Sequence, residues 1–289
     1  MKLVKKIDIH THVRNSSDKP ESLKCTAEQL MEIYDAVGIE KAFQCPLVQI
    51  EREYVKDPNQ EVAEVAEKYP DRFTWFCGID PRQEGVDFFE LLSRYKAMGA
   101  KGVGEFIPRI YFDDPVAWAF FRQAEKCDMP ILFHIGDEAA SYGLKDEFGL
   151  PHLEKTLQQF PKLKFLGHSE PWWAHLSGDV KPEQYVTYPQ GKVTPGGRVV
   201  ELMRKYPNLY GDLSAGSGCN ALTRDPEFAY NFLEEFQDRL FFGTDITSPS
   251  SGVAKKLSAF LDNAVTEGKI SYDAYYKISR GNAERLFNL

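Results

Sequence analysis

Eight short apolar runs, each followed by an amphipathic helical stretch, constrain this chain more than any other feature. The runs are Lys6–His12, Ile39–Val48, Phe73–Ile79, Lys101–Ile107, Pro130–Gly136, Leu163–His168, Leu209–Leu213 and Arg239–Asp245. Each is nearly continuous in apolar character, as expected of strands covered on both faces. Helix signals fill the intervals. Thr26 with Gln29 reads as a capping box and Gly38 as a stop, while Asp57-Pro58, Asp114-Pro115 and Asp225-Pro226 read as N-caps followed by a first-turn proline. Further helices are predicted over Gly85–Met98, Pro151–Phe160 and Gly197–Tyr206. Strands alternating with helices build a parallel sheet. Eight such units in 289 residues predict an α/β fold, a single-domain (β/α)8 TIM barrel over 1–289, with a helical tail over 253–289. An open doubly wound sheet would be expected to carry a glycine-rich phosphate turn, and no G-x-G-x-x-G follows any run.

Charge and cysteine usage narrow the partners. With 35 basic and 43 acidic residues the net charge is −8, which argues against nucleic acid or an anionic membrane as the main partner. No apolar run approaches the roughly 20 residues of a membrane span. Charges interrupt the first residues, so no signal peptide is expected. Cys25, Cys45, Cys77, Cys127 and Cys219 are scattered and contain no C-x-x-C, which points to free thiols and a cytoplasmic, reducing setting. The expected partner is a small-molecule substrate. A homodimer is compatible, cyclic dimers being the commonest soluble assembly.

In a closed α/β barrel the active site lies at the C-terminal ends of the strands. Run one ends in His10-Thr11-His12; alternate strand residues share a face, which sets these two Cα atoms about 7 Å apart. Run four carries Glu105, run five His134, run six His168 and run eight Asp245. Singly, each has a plain structural reading: a hydrogen-bonded core histidine, a strand-end acid paired with Lys101 or Arg109, a turn residue or a cap. Together they put four of the six histidines and two carboxylates on one rim, a donor set suited to a borderline divalent metal. Arg14 and Arg109 stand just beyond the first and fourth runs and are candidate clamps for a substrate carboxylate, or partners of a nearby acid. The long loop 169–196 after the sixth run brings Trp172 and Trp173, either as pocket wall and lid or as the loop's own small core. Tyr111 and Asp212 are lesser candidates.

The set His10-x-His12, Glu105, His134, His168 and Asp245 resembles the amidohydrolase superfamily. The phrases Asp8-Ile9-His10-Thr11-His12, Phe242-Gly243-Thr244-Asp245 and Gly281-Asn282-Ala283-Glu284-Arg285-Leu286-Phe287 are similar to the branch that includes aminocarboxymuconate semialdehyde decarboxylase-like proteins. The resemblance spans nearly the whole chain and implies a metal-bearing barrel. It implies that His10, His12, His134 and Asp245 hold one catalytic metal, with His168 as a ligand of a second metal or as a catalytic base. Glu105 occupies the position where binuclear relatives place a bridging acid. One ion is the expectation and two ions the rival, with Zn2+ foremost. The implied reaction is hydrolysis of an amide, ester or lactone, with Asp245 as proton carrier and His168 polarising the substrate. A metal-dependent nonoxidative decarboxylase or hydratase acting on a carboxylated substrate is the alternative, and a non-catalytic metal-binding barrel a third reading.

Overall fold

The structure, a computed structural model, describes residues 2–13, 25–136, 142–249 and 252–289. Among the described residues, nine parallel strands follow in chain order: β1 (Lys6–Thr11), β2 (Ile39–Gln44), β3 (Phe73–Trp75), β4 (Val103–Phe106), β5 (Ile131–Gly136), β6 (Leu144–Lys145), β7 (Phe165–His168), β8 (Leu209–Asp212) and β9 (Leu240–Phe241). They form two arcs, β1-β2-β3 and β4-β5-β7-β8-β9, with the short β6 beside the upper end of β5. Isolated parallel bridges join the arcs, Cys77 to Val103 at one seam and Thr11 to Ile246 at the other. Main-chain bonds reinforce the second seam, with Ile9 N donating to Phe242 O at 3.1 Å and Asp245 N to His10 O at 2.7 Å. The predicted eight-stranded barrel is thus closed, β6 being an addition to it.

The barrel interior has two layers. Ile7, Ile9, Phe43, Phe76, Leu132, Leu166 and Phe241 pack inside its lower half. The C-terminal helix Asn282–Phe287 plugs that floor: the Phe287 ring lies 4.7 Å from Phe43, 5.3 Å from Phe76 and 5.9 Å from Phe241, centroid to centroid. The upper layer is polar and holds the site. Outside the strands, Phe106, Phe133 and Phe165 face the surrounding helices, with Phe121 of the helix Pro115–Lys126 packed against Phe106 and Phe165.

The helices start largely where their caps predict. Helix α1 (Ala27–Val37) is capped by Thr26, whose hydroxyl accepts from Gln29 N while Gln29 Oε1 accepts from Thr26 N. Gly38 ends it with φ 76°, a backbone conformation that glycine adopts without a Cβ penalty. Thr26→Ala is expected to lower the unfolding free energy by about 1 kcal/mol, read as an earlier denaturant midpoint with unchanged slope. The helix predicted from Gly85 begins later, at Phe88, because the Asp87 carboxylate caps the Phe89 and Glu90 amides. In the tail, Val253–Thr266 and Tyr272–Tyr276 are helical, and a π-helical turn over Lys277–Gly281 leads into the floor helix.

Candidate metal centre

Local irregularities in β1 and β4 aim the site. Strict alternation would put Asp8, His10 and His12 on one face. The register between β1 and β2 instead shifts between Asp8 and Thr11, the mark of a bulge, which re-aims a side chain. Asp8 turns outward, where Tyr34 of α1 and Thr244 donate to it, while His10 and His12 both turn inward. A second register shift, between Val103 and Phe106, accompanies the inward turn of Glu105. His134 and His168 are direct neighbours in register on β5 and β7. Gly243 permits the approach of β8 and β1, since a Cβ there would stand 2.5 Å from Asp212 Oδ1 and 2.8 Å from Ser214 Cβ. Asp245 takes a left-handed backbone (φ 54°), a conformation that Asp tolerates better than most residues.

The six predicted rim residues all meet here. His10 Nε2 is the hub, 3.1 Å from His12 Nε2, 3.8 Å from Glu105 Oε2 and 3.7 Å from Asp245 Oδ1. His12 Nε2 lies 3.6 Å from Glu105 Oε2 and 3.1 Å from Asp245 Oδ1. Across the centre, His168 Nε2 is 3.9 Å from Glu105 Oε1 and 3.8 Å from Asp245 Oδ2. Two three-donor sets result, His10 with Glu105 and His168, and His10 with His12 and Asp245, the donor atoms in each lying within 4.8 Å of one another. His134 stands outside both sets: its Nδ1 donates to Glu105 Oε1 at 2.7 Å.

The partners behind the ring fix the tautomers. His12 Nδ1 faces the Cys45 carbonyl at 2.7 Å, an acceptor, so that nitrogen carries the hydrogen. His10 Nδ1 faces the Asp212 carboxylate at 2.7 Å with the same consequence. Ser214 Oγ donates to Asp212 Oδ2 (2.7 Å) and therefore accepts from His168 Nδ1 (3.0 Å). Three neutral imidazoles thus turn Nε2 lone pairs toward the two inward carboxylates. Such a ring of acceptors, buried and with no donor among them, repels itself unless a cation sits within it. The electrostatics agree. Burial opposes an imidazolium at His10, yet Cys45, Asp245, Asp212 and Glu105 push its pKa well above the usual range, so the pocket favours a positive charge, which a bound ion would supply in place of a proton. Burial likewise opposes the Glu105 anion, but His134 and His10 hold its pKa well below the usual carboxylate range. Imidazole nitrogens oriented by a carboxylate, a carbonyl and a hydroxyl are how proteins prepare divalent-metal ligands. The residues fit such an ion.

Asp212, a lesser candidate from the sequence, is completely buried and orients two of the three inward imidazoles. Its place at the end of β8 was the available signal. Asp212→Asn is expected to weaken metal binding about 10–100-fold, measured by competition with a chelator.

The expected substrate contacts fare differently. Arg14 lies outside the described residues. Arg109 is exposed and stands 3.9 Å from Glu51. Trp172 and Trp173 are buried packing residues and not a pocket wall or lid: at 0% and 2% exposure they pack behind the strands, Trp172 against Phe133 and Gly167, Trp173 against Phe232 and Gly211. Ser169 turns the chain outward after His168, and the short helix Glu170–Ala174 buries both indoles, with Trp173 Nε1 donating to Asp212 O. The loop thereby braces β8 from outside. Tyr142 stands nearer the site, its ring 4.7 Å from His134.

Solved structures share the fold over nearly their whole length. An uncharacterised TIM-barrel protein from Bordetella bronchiseptica aligns with TM-score 0.67 and 19% identity, covering 99% of both chains. A dihydroxybenzoic acid decarboxylase from Polaromonas sp. JS666, with bound manganese and the inhibitor 2-nitroresorcinol, aligns at 0.61 and 19%, covering 99% of this chain and 98% of its own. A probable 2-pyrone-4,6-dicarboxylic acid hydrolase from Acinetobacter baumannii, with citric acid bound, aligns at 0.59 and 16%, covering 99% of this chain and 100% of its own. No curated protein matches the sequence. The amidohydrolase family model matches residues 7–289, almost the full length of a barrel whose rim carries the donors described above. The chain belongs to the amidohydrolase family.

Proposed function

We propose that this protein is a metal-dependent hydrolase that cleaves an amide, ester or lactone bond in a small molecule. The observation that carries the reading is the ring of inward lone pairs on His10, His12 and His168, closed by Glu105 and Asp245. His10, His12 and Asp245 would hold one ion, with Glu105 and His168 as the donors for an enlarged set or a second ion. The bound ion, Zn2+ on the donor chemistry or Mn2+ by analogy with the Polaromonas structure, supplies Lewis acidity and lowers the pKa of water toward neutrality.

The chain's own groups handle the protons. Asp245 is the most exposed of the six rim residues, its side chain 23% open, so its carboxylate reaches both the centre and incoming water. It takes the proton of the attacking water and returns it to the leaving group. His134, held through Nδ1 by Glu105, keeps Nε2 for a second proton transfer. The free cysteines, all buried, suit a reducing cytoplasm. No helix among the described residues is long and apolar enough to cross a membrane.

Decarboxylation is the second reading, favoured by the likeness to the Polaromonas decarboxylase. Turnover in oxygen-18 water separates the two. The metal-loaded protein, screened against esters, lactones, amides and aromatic carboxylates, is expected to place one solvent oxygen in the product per turnover. Carbon dioxide release without solvent oxygen in the product would replace hydrolysis with decarboxylation. Full activity after exhaustive chelation would overturn both.

A further inference from the structure

The short strand β6 lies outside the barrel's eight, yet it is held from both sides. Leu144 and Lys145 pair with Ile135 and Gly136 at the upper end of β5. Lys145 is also bonded to the chain after β4, its N donating to Ile110 O at 2.8 Å and its O accepting from Phe112 N at 3.3 Å. Gly143 donates to Ile107 O at 3.1 Å. A Cβ there would stand 2.6 Å from Gly136 N and 3.1 Å from His134 Cδ2, so only glycine allows the approach. These contacts fix the residue just before them, Tyr142, whose ring lies 4.7 Å from His134. At 37% exposure its side chain is open to an incoming molecule.

Among the described residues, no hydrogen bond engages the Tyr142 hydroxyl. The group nevertheless faces the centre. Burial, then Glu105, Glu170 and Asp245, push the phenol up to about 12, with Arg52 acting against them. The oxygen therefore lies within electrostatic reach of both inward carboxylates. Tyr188 is a second phenol that feels burial, Glu170 and Asp245, but its hydrogen is already given to Glu170 Oε1 at 3.1 Å.

The centre lacks a donor of this kind. His10, His12 and His168 carry their hydrogens on Nδ1, turned away, and Glu105 and Asp245 are acceptors. When water attacks a carbonyl carbon, the π pair moves to the carbonyl oxygen and negative charge gathers there. A fixed donor aimed at that oxygen lowers the barrier, while a ring of acceptors around it raises it.

We infer that Tyr142 is a catalytic residue whose O–H donates to the carbonyl oxygen of the substrate as that oxygen becomes an oxyanion. This rests on the hydrolytic reading of the site. Tyr142 keeps its proton throughout. Asp245 takes the proton of the attacking water and returns it to the leaving group as the tetrahedral intermediate collapses and the bond to that group breaks. The strand added beside β5 is then the support that holds one donor over a ring of acceptors.

The test uses calorimetric binding to the metal-loaded full chain, with metal content measured for every variant. The probes are butylphosphonate and phenylphosphonate, tetrahedral anions shaped like the intermediate. Each is paired with the planar carboxylate of the same skeleton, pentanoate or benzoate. The unmodified protein is expected to bind at least one phosphonate more tightly than its carboxylate. Tyr142→Phe keeps the ring beside His134 and deletes only the O–H. It is expected to weaken that phosphonate about 10–100-fold while leaving metal content and carboxylate affinity unchanged. Tyr188→Phe is expected to bind all four probes as the unmodified chain does. On any ester or lactone that the unmodified chain hydrolyses, Tyr142→Phe is expected to lower kcat about 100-fold or more with KM little changed. The inference is overturned if no phosphonate is preferred by the unmodified protein, if the preference survives in Tyr142→Phe, if phosphonate and carboxylate affinities fall together, or if Tyr188→Phe produces the same loss. Failure to take up metal, or carbon dioxide release without solvent oxygen in the product, would instead overturn the reading on which the inference rests.

Discussion

Replacing His10 with alanine is expected to strip the protein of metal and to lower turnover by far more than the roughly 10–100-fold typical of losing a residue behind a ligand. His10 belongs to both donor sets, and its Nε2 lies within 3.8 Å of His12, Glu105 and Asp245. Its removal deletes the hub and one of the three inward lone pairs. It also leaves buried Asp212 with only Ser214 and His168, so some loss of stability accompanies the loss of metal. His12→Gln controls for that loss, because His12 is held from behind only by the Cys45 carbonyl. Elemental analysis of both variants, beside circular dichroism and turnover, reads the result. Metal content and rate near those of the unmodified chain in both would end the assignment of this rim as the metal centre.

Phe287→Ala is expected to be the most destabilising single change outside the centre, by about 3–5 kcal/mol. The ring is 3% exposed and closes the barrel floor against Phe43, Phe76 and Phe241. Deleting it removes apolar contact and leaves a cavity beneath eight strands that relax only partly. The helix carrying it is tethered by Asn282, whose side chain donates to Gln237 O and Leu240 O. The floor should therefore open without the tail detaching. Denaturant unfolding gives the loss, and retained metal content would show that the two layers of the interior are energetically separate. A loss below about 1 kcal/mol would mean that the ring is not the plug described here.

The barrel and the rim were legible because both follow from local rules. Apolar runs of strand length, caps and glycine stops set the order of elements, and the strand-end rule then nominated His10, His12, Glu105, His134, His168 and Asp245. Residues whose roles depend on what stands opposite them were not legible. Asp212 reads as an ordinary strand-end acid until β1 and β7 bring His10 and His168 to it. Trp172 and Trp173 lie one turn past a site histidine in sequence, but the turn at Ser169 carries them behind the strands.

Patterns along the chain establish that it winds strand and helix eight times and that its rim histidines and acids fall at one end of those strands. Periodicity and capping are properties of neighbours along the chain, so they are written locally. Which of those groups converge is set by packing between strands. A bulge in β1 sends Asp8 outward and His10 inward, closure of the two arcs brings Asp245 to His12, and Asp212, Cys45 and Ser214 choose the tautomers that turn three lone pairs to one point. Each of those depends on a register or a distance between strands far apart in the chain, which no local pattern encodes.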